Sequence, residues 1–205
     1  MMKFKNWFTV LTLPIVLGLI LFLREVIKKE QAVVSERDQL AYSEVAKDTQ
    51  MSKWQLGLWF FKNWILERLA SIAPVPSWRV ALHRMRGIHI GKNVYIGYDV
   101  IFDRIYPHHI HIEDYVEIGD RSMISAHSRG SMLLRQAYER KIEPVHIKRG
   151  AWIMPGVIII PGITIGEMSV IGTGAVVTKN IPPYSLAAGV PAKVIREIEK
   201  EKQTV

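Results

Sequence analysis

Residues 147–181 read IKRGAWIMPGVIIIPGITIGEMSVIGTGAVVTKNI, and in this stretch an aliphatic side chain returns at every sixth position. The series consists of Ile147, Ile153, Ile159, Ile165, Ile171 and Val177. A second small or compact side chain lies four residues after each: Ala151, Val157, Ile163, Ser169, Ala175 and Ile181. A period of six fits neither an α-helix nor a flat strand, whereas it is typical of a chain wound round a triangular prism, with a short strand on each face and a corner after it. Glycine and proline lie between these residues, as corners require: Gly150, Pro155, Gly156, Pro161, Gly162, Gly166, Gly172 and Gly174.

The same register extends upstream with two interruptions. The additional positions are Ile90, Ile96, Phe102, Ile112, Ile118 and Ile124, which gives four sets of three repeats and therefore four coils. A short insertion, residues 104–108, separates coils one and two, and a longer one, residues 129–145, separates coils two and three. Loops that leave a solenoid at coil boundaries often carry binding groups, although a purely structural insertion is the alternative. We therefore expect a mainly β protein, a parallel β-helix of about four coils, with functional residues near its insertions.

Composition restricts the function of the chain. Its 205 residues include no cysteine, which excludes a disulfide framework and a thiol nucleophile. The net charge is +8, and residues 1–89 hold 13 Lys plus Arg against 7 Asp plus Glu. The basic excess therefore belongs mainly to the part that precedes the prism.

An uncharged apolar stretch runs from residue 6 to residue 23 and ends at Arg24. It is long enough to span a bilayer that thins slightly around it. No small-x-small cleavage pattern follows, so we expect an uncleaved anchor rather than a cleavable signal peptide. Basic residues on both sides leave its orientation open. The sequence thus predicts a single-pass, membrane-anchored protein with an N-terminal transmembrane helix.

The segment between this stretch and the prism, residues 30–77, is predicted to be helical. Its first part is polar and rich in helix formers, which indicates a helical stalk. Residues 54–73 are apolar with interspersed charges, and they are compatible with an interfacial helix on the membrane or with an amphipathic helix packed on the prism. Arg79, Arg84 and Arg86 follow close together, a basic turn that suits anionic lipid head groups. Nucleic acid is not expected as a partner, because no recognised binding motif accompanies the charge.

His127 is the histidine whose place in the repeat is most informative. It is the fourth residue of the repeat that begins at Ile124, immediately before the longer insertion. A corner histidine there is expected to project beside the loop rather than into the core. Because an unperturbed imidazole has a pKa of about 6.5, it can accept a proton from a hydroxyl near neutral pH. A structural role for a lone histidine remains the alternative.

A second group of histidines, His108, His109 and His111, invites a metal-site interpretation. On a strand, His109 and His111 would share one face. Two ligands are too few for zinc without a third, for which His127 and His146 are candidates. Solvated corner histidines are the other interpretation, and it is the one we adopt.

The repeats, the His127 corner with its loop and the ending VIGTGAVVTKNIPPYSLAAGVPAKVIREI, residues 170–198, together carry a family resemblance. Residues 78–198 resemble the left-handed β-helix acetyltransferases of the maltose, galactoside and xenobiotic O-acetyltransferase group. The resemblance implies a homotrimer that transfers an acetyl group from acetyl-coenzyme A to a hydroxyl of a sugar or similar acceptor. It also implies active sites between neighbouring prisms.

The same resemblance assigns roles to individual residues. His127 falls where the family keeps its catalytic base, and residues matching the coenzyme-binding positions are Trp152, Thr173, Thr178, Lys179, Lys193 and Arg196. Independently of the resemblance, Asp103 is a carboxylate at the same corner as His127 one coil below, and it is a candidate either for binding acceptor hydroxyls or for orienting the imidazole. Arg129 is a further candidate for binding the acceptor. Two positions depart from the family, because Gly97 stands in place of an acceptor-binding asparagine and Pro155 stands where a serine is frequent beside the coenzyme. The identity of the acceptor therefore does not transfer.

These observations predict a membrane-anchored, trimeric O-acetyltransferase whose catalytic domain faces the cytoplasm and whose acceptor is a sugar, a glycan or a lipid-linked glycan. Acetyl-coenzyme A is the expected co-substrate, and no metal is expected. The alternatives are a metal hydratase of the gamma carbonic anhydrase type and a non-catalytic trimeric membrane scaffold. The predicted domain boundaries are residues 1–29 for the anchor and its flanks, 30–77 for the helical stalk and amphipathic helix, 78–192 for the β-helix and 193–205 for a C-terminal helix and tail.

Overall fold

A computed structural model of the chain describes residues 36–199 except Gly130 and Arg135, together with Gly18, Leu21 and Glu25. The chain divides into two compact units, residues 1–53 and residues 54–205. The first contains helix α1, Glu36–Thr49. Two further helices, α2 (Lys53–Ile72) and α3 (Pro76–Met85), precede the strands.

The second unit is a parallel β-helix with three sheets, which we call sheets A, B and C. Sheet A contains β1 (His89–Ile90), β4 (Ile110–Ile112), β9 (Val145–Ile147) and β12 (Thr164–Ile165). Sheet B contains β2 (Tyr95–Ile96), β5 (Glu117–Ile118), β10 (Trp152–Ile153), β13 (Val170–Ile171), β15 (Ser185–Ala188) and β16 (Lys193–Glu197). Sheet C contains β3 (Ile101–Phe102), β6 (Met123–Ile124), β11 (Ile158–Ile159) and β14 (Val176–Val177). The chain runs from sheet A to B to C in each of four coils, so the predicted parallel β-helix and its number of coils are confirmed.

The six-residue register produces this architecture because every sixth side chain points into the prism. Phe102, Ile124, Ile159 and Val177 stack through four coils of sheet C, and all four are fully buried. The second series closes the corners from inside, and Ala151, Val157 and Ala175 are likewise fully buried. Two corner residues, Gly156 (φ 73°) and Gly162 (φ 81°), adopt a left-handed backbone conformation that glycine tolerates best.

Helix α3 closes the open end of the prism with three guanidinium groups. In each coil the N–H groups donate to carbonyls of the coil above, so the carbonyl groups of the first coil have no strand below to pair with. Arg84 donates to the carbonyl of Ile90, Arg79 to that of Ile96 (2.7 Å) and Arg86 to that of Phe102 (3.5 Å), one on each sheet. The prediction that these arginines bind lipid head groups is wrong for Arg79 and Arg86, because both are buried in this cap.

Helix α2 contacts the prism through Glu67. The Glu67 carboxylate accepts a hydrogen bond from Nε of Arg104 (3.0 Å), and it lies 3.8 Å from a guanidinium nitrogen of Arg86. Leu66 and Ala70 are buried on the same side of the helix. Of the two arrangements that the sequence allowed for this segment, the contact is the one expected of packing on the prism.

Two elements of the predicted fold need correction. The predicted transmembrane helix and the membrane-anchored localisation are not supported, because no helix among the described residues is both long enough and apolar enough to cross a membrane. The predicted span itself, residues 6–23, lies outside the described residues except for Gly18 and Leu21. The predicted C-terminal helix is also wrong, because Lys193–Glu197 forms strand β16, which pairs antiparallel with β15 and takes up its free edge.

Candidate active site

Both insertions leave the prism at the corner that leads from sheet C to sheet A, which we call the insertion corner. Phe102 and Ile124 are paired in register on β3 and β6, so the residues after them occupy equivalent places in coils one and two. Asp103 directly follows Phe102, and His127 lies three residues after Ile124. Topology therefore brings these two sequence-predicted residues together at one corner.

The side chains of Asp103 and His127 form a hydrogen-bonded pair. Nδ1 of His127 lies 2.5 Å from Oδ2 of Asp103. The backbone N–H of Ala126 donates to the same oxygen (2.8 Å), and the N–H groups of Ile105 (2.9 Å) and Tyr106 (2.8 Å) donate to Oδ1. An ionised carboxylate only accepts, so the shared proton is carried by Nδ1 and the Nε2 lone pair is left available for a base.

Electrostatics keeps the Asp103 carboxyl ionised. Burial by itself raises its pKa, but the hydrogen bond from His127, the backbone N–H groups of Tyr106 and Ala126 and the charge of His127 together outweigh burial and hold the pKa below its ordinary value. A buried carboxylate with this many donors is a stable partner for an imidazole that gains a proton. The pair can therefore act as a general base.

The longer insertion returns to the same corner as a β-hairpin. Strand β7 (His127–Ser128) pairs antiparallel with β8 (Lys141–Ile142), and the N–H of Glu143 donates to the carbonyl of Ala126 (2.9 Å). His127 is thus held on a strand rather than on a free loop. Its ring is partly buried, with a quarter of the side chain exposed.

A cavity of about 1010 Å³ lies between this insertion and coils three and four of the prism. Arg129, a predicted acceptor-binding residue, and Thr178, a predicted coenzyme-binding residue, both line it. The other lining residues are Ser128, Leu134, Gln136, Ala137, Tyr138, Glu139, Lys141, Glu143, Ile160, Pro161 and Ile163. Ser128, the residue after His127, lines the cavity although His127 itself does not, and the cavity is large enough for a small-molecule substrate.

The predicted coenzyme-binding residues divide into two sets. Thr178 and Lys179 follow β14 at the insertion corner, on the His127 side. Trp152 lies on β10 of sheet B with 46% of its surface exposed, and Lys193 and Arg196 are exposed on β16 of the same sheet. Thr173 is exposed at the corner between sheets B and C. Sheet B is the face opposite the insertion corner, so within one chain these two sets do not surround a common site.

The other histidines are distributed differently from the prediction. His108 and His109 lie in a turn that precedes β4, so His109 and His111 share no strand face. The ring of His111 stacks between those of His89 (4.6 Å) and His146 (4.8 Å) on sheet A. Within the described part of the chain, no three His, Cys, Asp or Glu side chains are arranged to hold a metal ion.

Sequence reasoning missed three side chains at the insertion corner. Ser125 Oγ donates to the carbonyl of His127 (2.8 Å), and the Tyr106 ring packs edge to face against that of His127 (5.3 Å between centroids). Arg140 donates to the Tyr106 hydroxyl (3.3 Å). Ser125 could have been found from the register, because it occupies in coil two the place of Asp103 in coil one. Tyr106 and Arg140 lie in insertions, where no register applies.

Comparison with known proteins agrees with this architecture. The family model described as bacterial transferase hexapeptide (six repeats) matches residues 144–179. The galactoside O-acetyltransferase of Escherichia coli K12 is 41% identical over 119 residues, which are 54% of this chain and 54% of that protein. The chain therefore spans about half the length of this curated relative.

Two solved structures match over a larger share. A maltose O-acetyltransferase from Clostridium difficile 630 is 30% identical with a TM-score of 0.55, covering 67% of this chain and 85% of that chain. A galactoside acetyltransferase in complex with coenzyme A is 30% identical with a TM-score of 0.56, covering 70% of this chain and 82% of that chain. The resemblance that the repeats and the terminal signature indicated is confirmed. The chain belongs to the hexapeptide-repeat acetyltransferases, in the group of the maltose and galactoside O-acetyltransferases.

Proposed function

We propose that this protein transfers an acetyl group from acetyl-coenzyme A to a hydroxyl group of a sugar or glycan, with His127 as the general base. The observation that carries the proposal is the hydrogen bond between His127 and the buried carboxylate of Asp103 at the insertion corner. A histidine in this setting can remove a proton from a neutral hydroxyl, a step that needs neither a metal ion nor a covalent enzyme intermediate.

In the proposed reaction, Nε2 of His127 accepts the proton of the acceptor hydroxyl. The acceptor oxygen then bonds to the acetyl carbon, and the bond between that carbon and sulfur breaks. The imidazolium is stabilised by Asp103 through Nδ1, and it returns its proton to the departing thiolate. A general base of this kind contributes a factor of about 10²–10⁴ to the rate.

The coenzyme is proposed to lie along the upper coils. Thr178 and Lys179 stand above His127 on the same corner, and Thr178 lines the cavity. Lys193 and Arg196 add exposed cations suited to the phosphates of a nucleotide. The structure of the related galactoside acetyltransferase is a complex with coenzyme A. The sugar acceptor rests on the galactoside and maltose acetyltransferases among the relatives.

A complete site is proposed to need a second copy of the chain. Trp152, Lys193 and Arg196 lie on sheet B, opposite the corner that carries His127. A single bound coenzyme molecule can touch both sets only if sheet B belongs to a neighbouring subunit. A closed ring of three identical subunits provides one such contact for each copy, which is why we propose a homotrimer.

The decisive experiment supplies the purified full chain with acetyl-coenzyme A and a panel of sugars and nucleotide sugars, and follows free thiol. The chain has no cysteine, so all thiol comes from the coenzyme. His127→Gln should abolish acceptor-dependent release, whereas His146→Gln, a matched change on the outer face of sheet A, should not. Full activity in His127→Gln would remove the proposed base. Failure to bind coenzyme A by calorimetry would instead favour a non-catalytic scaffold.

A further inference from the structure

Tyr106 belongs to the shorter insertion, and two contacts hold it beside Asp103 and His127. Its N–H donates to Oδ1 of Asp103 (2.8 Å), and its ring packs against the ring of His127. Only 2% of its surface is exposed. The hydroxyl group is therefore presented from a rigid ring that is already part of the environment of the catalytic pair.

The Tyr106 hydroxyl accepts a hydrogen bond from a residue of the longer insertion. Nη1 of Arg140 donates to the Tyr106 hydroxyl (3.3 Å), and Arg140 is partly buried. It directly precedes β8, the returning strand of the hairpin. The contact thus joins two insertions that leave the same corner in consecutive coils and are 34 residues apart in sequence.

The longer insertion, to which Arg140 belongs, forms one wall of the cavity. Leu134, Gln136, Tyr138 and Glu139 contribute to that wall, while residues 160–163 and Thr178 on the prism form the other. The strand pairing of β7 with β8 ends at Ser128 and Lys141. Arg140 lies directly beyond that pairing, so its hydrogen bond to Tyr106 connects the end of the loop to the shorter insertion.

We infer that Tyr106 and Arg140 form a positioning pair that holds the longer insertion beside His127. The pair thereby sets the distance between the insertion wall and the prism wall of the cavity, where the sugar acceptor enters. This inference rests on the proposed function, because an acceptor is assumed to enter there. Loss of one such hydrogen bond should raise the equilibrium constant for local opening of the loop about fivefold. The pair is therefore expected to affect acceptor binding far more than the acetyl-transfer step.

The test compares Tyr106→Phe, Arg140→Met and the double variant with the wild-type chain. Tyr106→Phe keeps the ring against His127 and removes only the hydroxyl group. Tyr98→Phe is the matched control, because its hydroxyl also makes a hydrogen bond of 3.3 Å, which it donates to the carbonyl of Pro74 away from the insertion corner. Hydrogen–deuterium exchange over residues 131–141 is the first readout, and the KM values for acceptor and acetyl-coenzyme A are the second.

Each single variant should raise exchange in residues 131–141 about fivefold, and the double variant should raise it no further. The acceptor KM should rise by a similar factor, with kcat and the acetyl-coenzyme A KM within about twofold. Unchanged exchange in both single variants, or effects that add in the double variant, would overturn the contact. Faster exchange with an unchanged acceptor KM would overturn the positioning role. If the wild-type chain transfers no acetyl group at all, the proposed function fails while exchange still decides whether the pair holds the loop.

Discussion

Nδ1 of His127 lies 2.5 Å from Oδ2 of Asp103, although 24 residues separate them in sequence. One coil of the prism and an insertion account for that separation. Both carboxylate oxygens are engaged by N–H groups, so the carboxylate cannot rotate away from the imidazole without losing buried hydrogen bonds. The imidazole is therefore held in one tautomer and one orientation before any substrate binds.

Replacing Asp103 with asparagine should lower kcat by about 10²–10⁴-fold. The amide cannot stabilise the imidazolium as a carboxylate does, and its NH₂ group faces backbone N–H donors. The acetyl-coenzyme A KM should change little, because Asp103 lies in coil one and the proposed coenzyme-binding residues lie in later coils. Steady-state kinetics with the acceptor identified in the sugar panel, together with circular dichroism to confirm folding, measures both effects.

Asp114→Asn is the matched control for that variant. Asp114 also accepts a backbone N–H across coils, from Lys92 (2.6 Å), but at a corner between sheets A and B. Its loss should affect stability without lowering kcat by more than about twofold. Equal losses of kcat in the two variants would mean that Asp103 acts through the fold alone.

The prism was predictable because the six-residue repeat determines which side chains point into its interior. Ile96, Ile118 and Ile153 are fully buried on consecutive coils of sheet B, as the six-residue spacing requires. Lys193–Glu197 was not predictable in the same way, because it mixes Lys, Arg and Glu, which favour a helix, with Val and Ile, which favour a strand, and pairing with β15 decides between them.

The cap and the insertion contacts were also beyond local reasoning. Charge clustering marked the three arginines of α3, but their partners are carbonyl groups left unpaired only once the first coil has closed. Likewise, the path of each insertion follows no period, so the contact of Tyr106 with Arg140 has no signature in the sequence. Asp103 and His127 were predictable because both lie next to residues of the repeat.

Arg79→Met should destabilise the protein by about 2–4 kcal/mol. Arg79 is 1% exposed and donates to the carbonyls of Ile96 (2.7 Å) and Ala73 (2.8 Å), which its loss would leave buried and unpaired. Arg84→Met should cost less than about 1 kcal/mol, because the exposed carbonyl that Arg84 contacts can bind water instead. Urea unfolding of the two variants measures the difference, and similar costs would contradict a larger contribution of the buried Arg79 than of the exposed Arg84.

His83 should make the protein acid-sensitive. Burial, reinforced by the charges of Arg86 and Arg79, lowers its pKa to about 3. Since an unfolded histidine titrates near pH 6.5, the unfolded state binds the proton first, and stability falls as the pH drops from about 6.5 towards 3. At pH 5 this amounts to roughly 2 kcal/mol relative to pH 7.5.

Replacing His83 with glutamine removes the titrating group while keeping an acceptor for the Arg86 guanidinium, which lies 3.2 Å from Nδ1 of His83. The variant should be less stable than the wild type at pH 7.5, since the glutamine loses the packing of the imidazole against Phe102. Its stability should nevertheless fall less steeply between pH 7.5 and pH 5. Urea unfolding at both pH values measures the slopes, and parallel slopes would show that folding does not lower the pKa of His83.

Mixing two inactive variants should restore activity if each site is shared between subunits. His127→Gln removes the base, and the double variant Lys193→Gln with Arg196→Gln removes the proposed phosphate contacts on sheet B. The two sets lie on opposite sides of one prism, so neither variant can form a complete site with itself. A mixed assembly places an intact corner beside an intact sheet B at some of its interfaces.

If subunits mix at random in equal amounts, an interface has an intact partner on each side with a probability of about one quarter. Co-expressed and co-purified variants should therefore recover about a quarter of the wild-type rate, assayed with acetyl-coenzyme A below its KM. Mixing the separately purified proteins without subunit exchange should recover nothing, which serves as the control. A co-expressed mixture with no activity would mean that base and cations act within a single chain. Full activity of the Lys193→Gln, Arg196→Gln variant on its own would instead remove these two cations from the site.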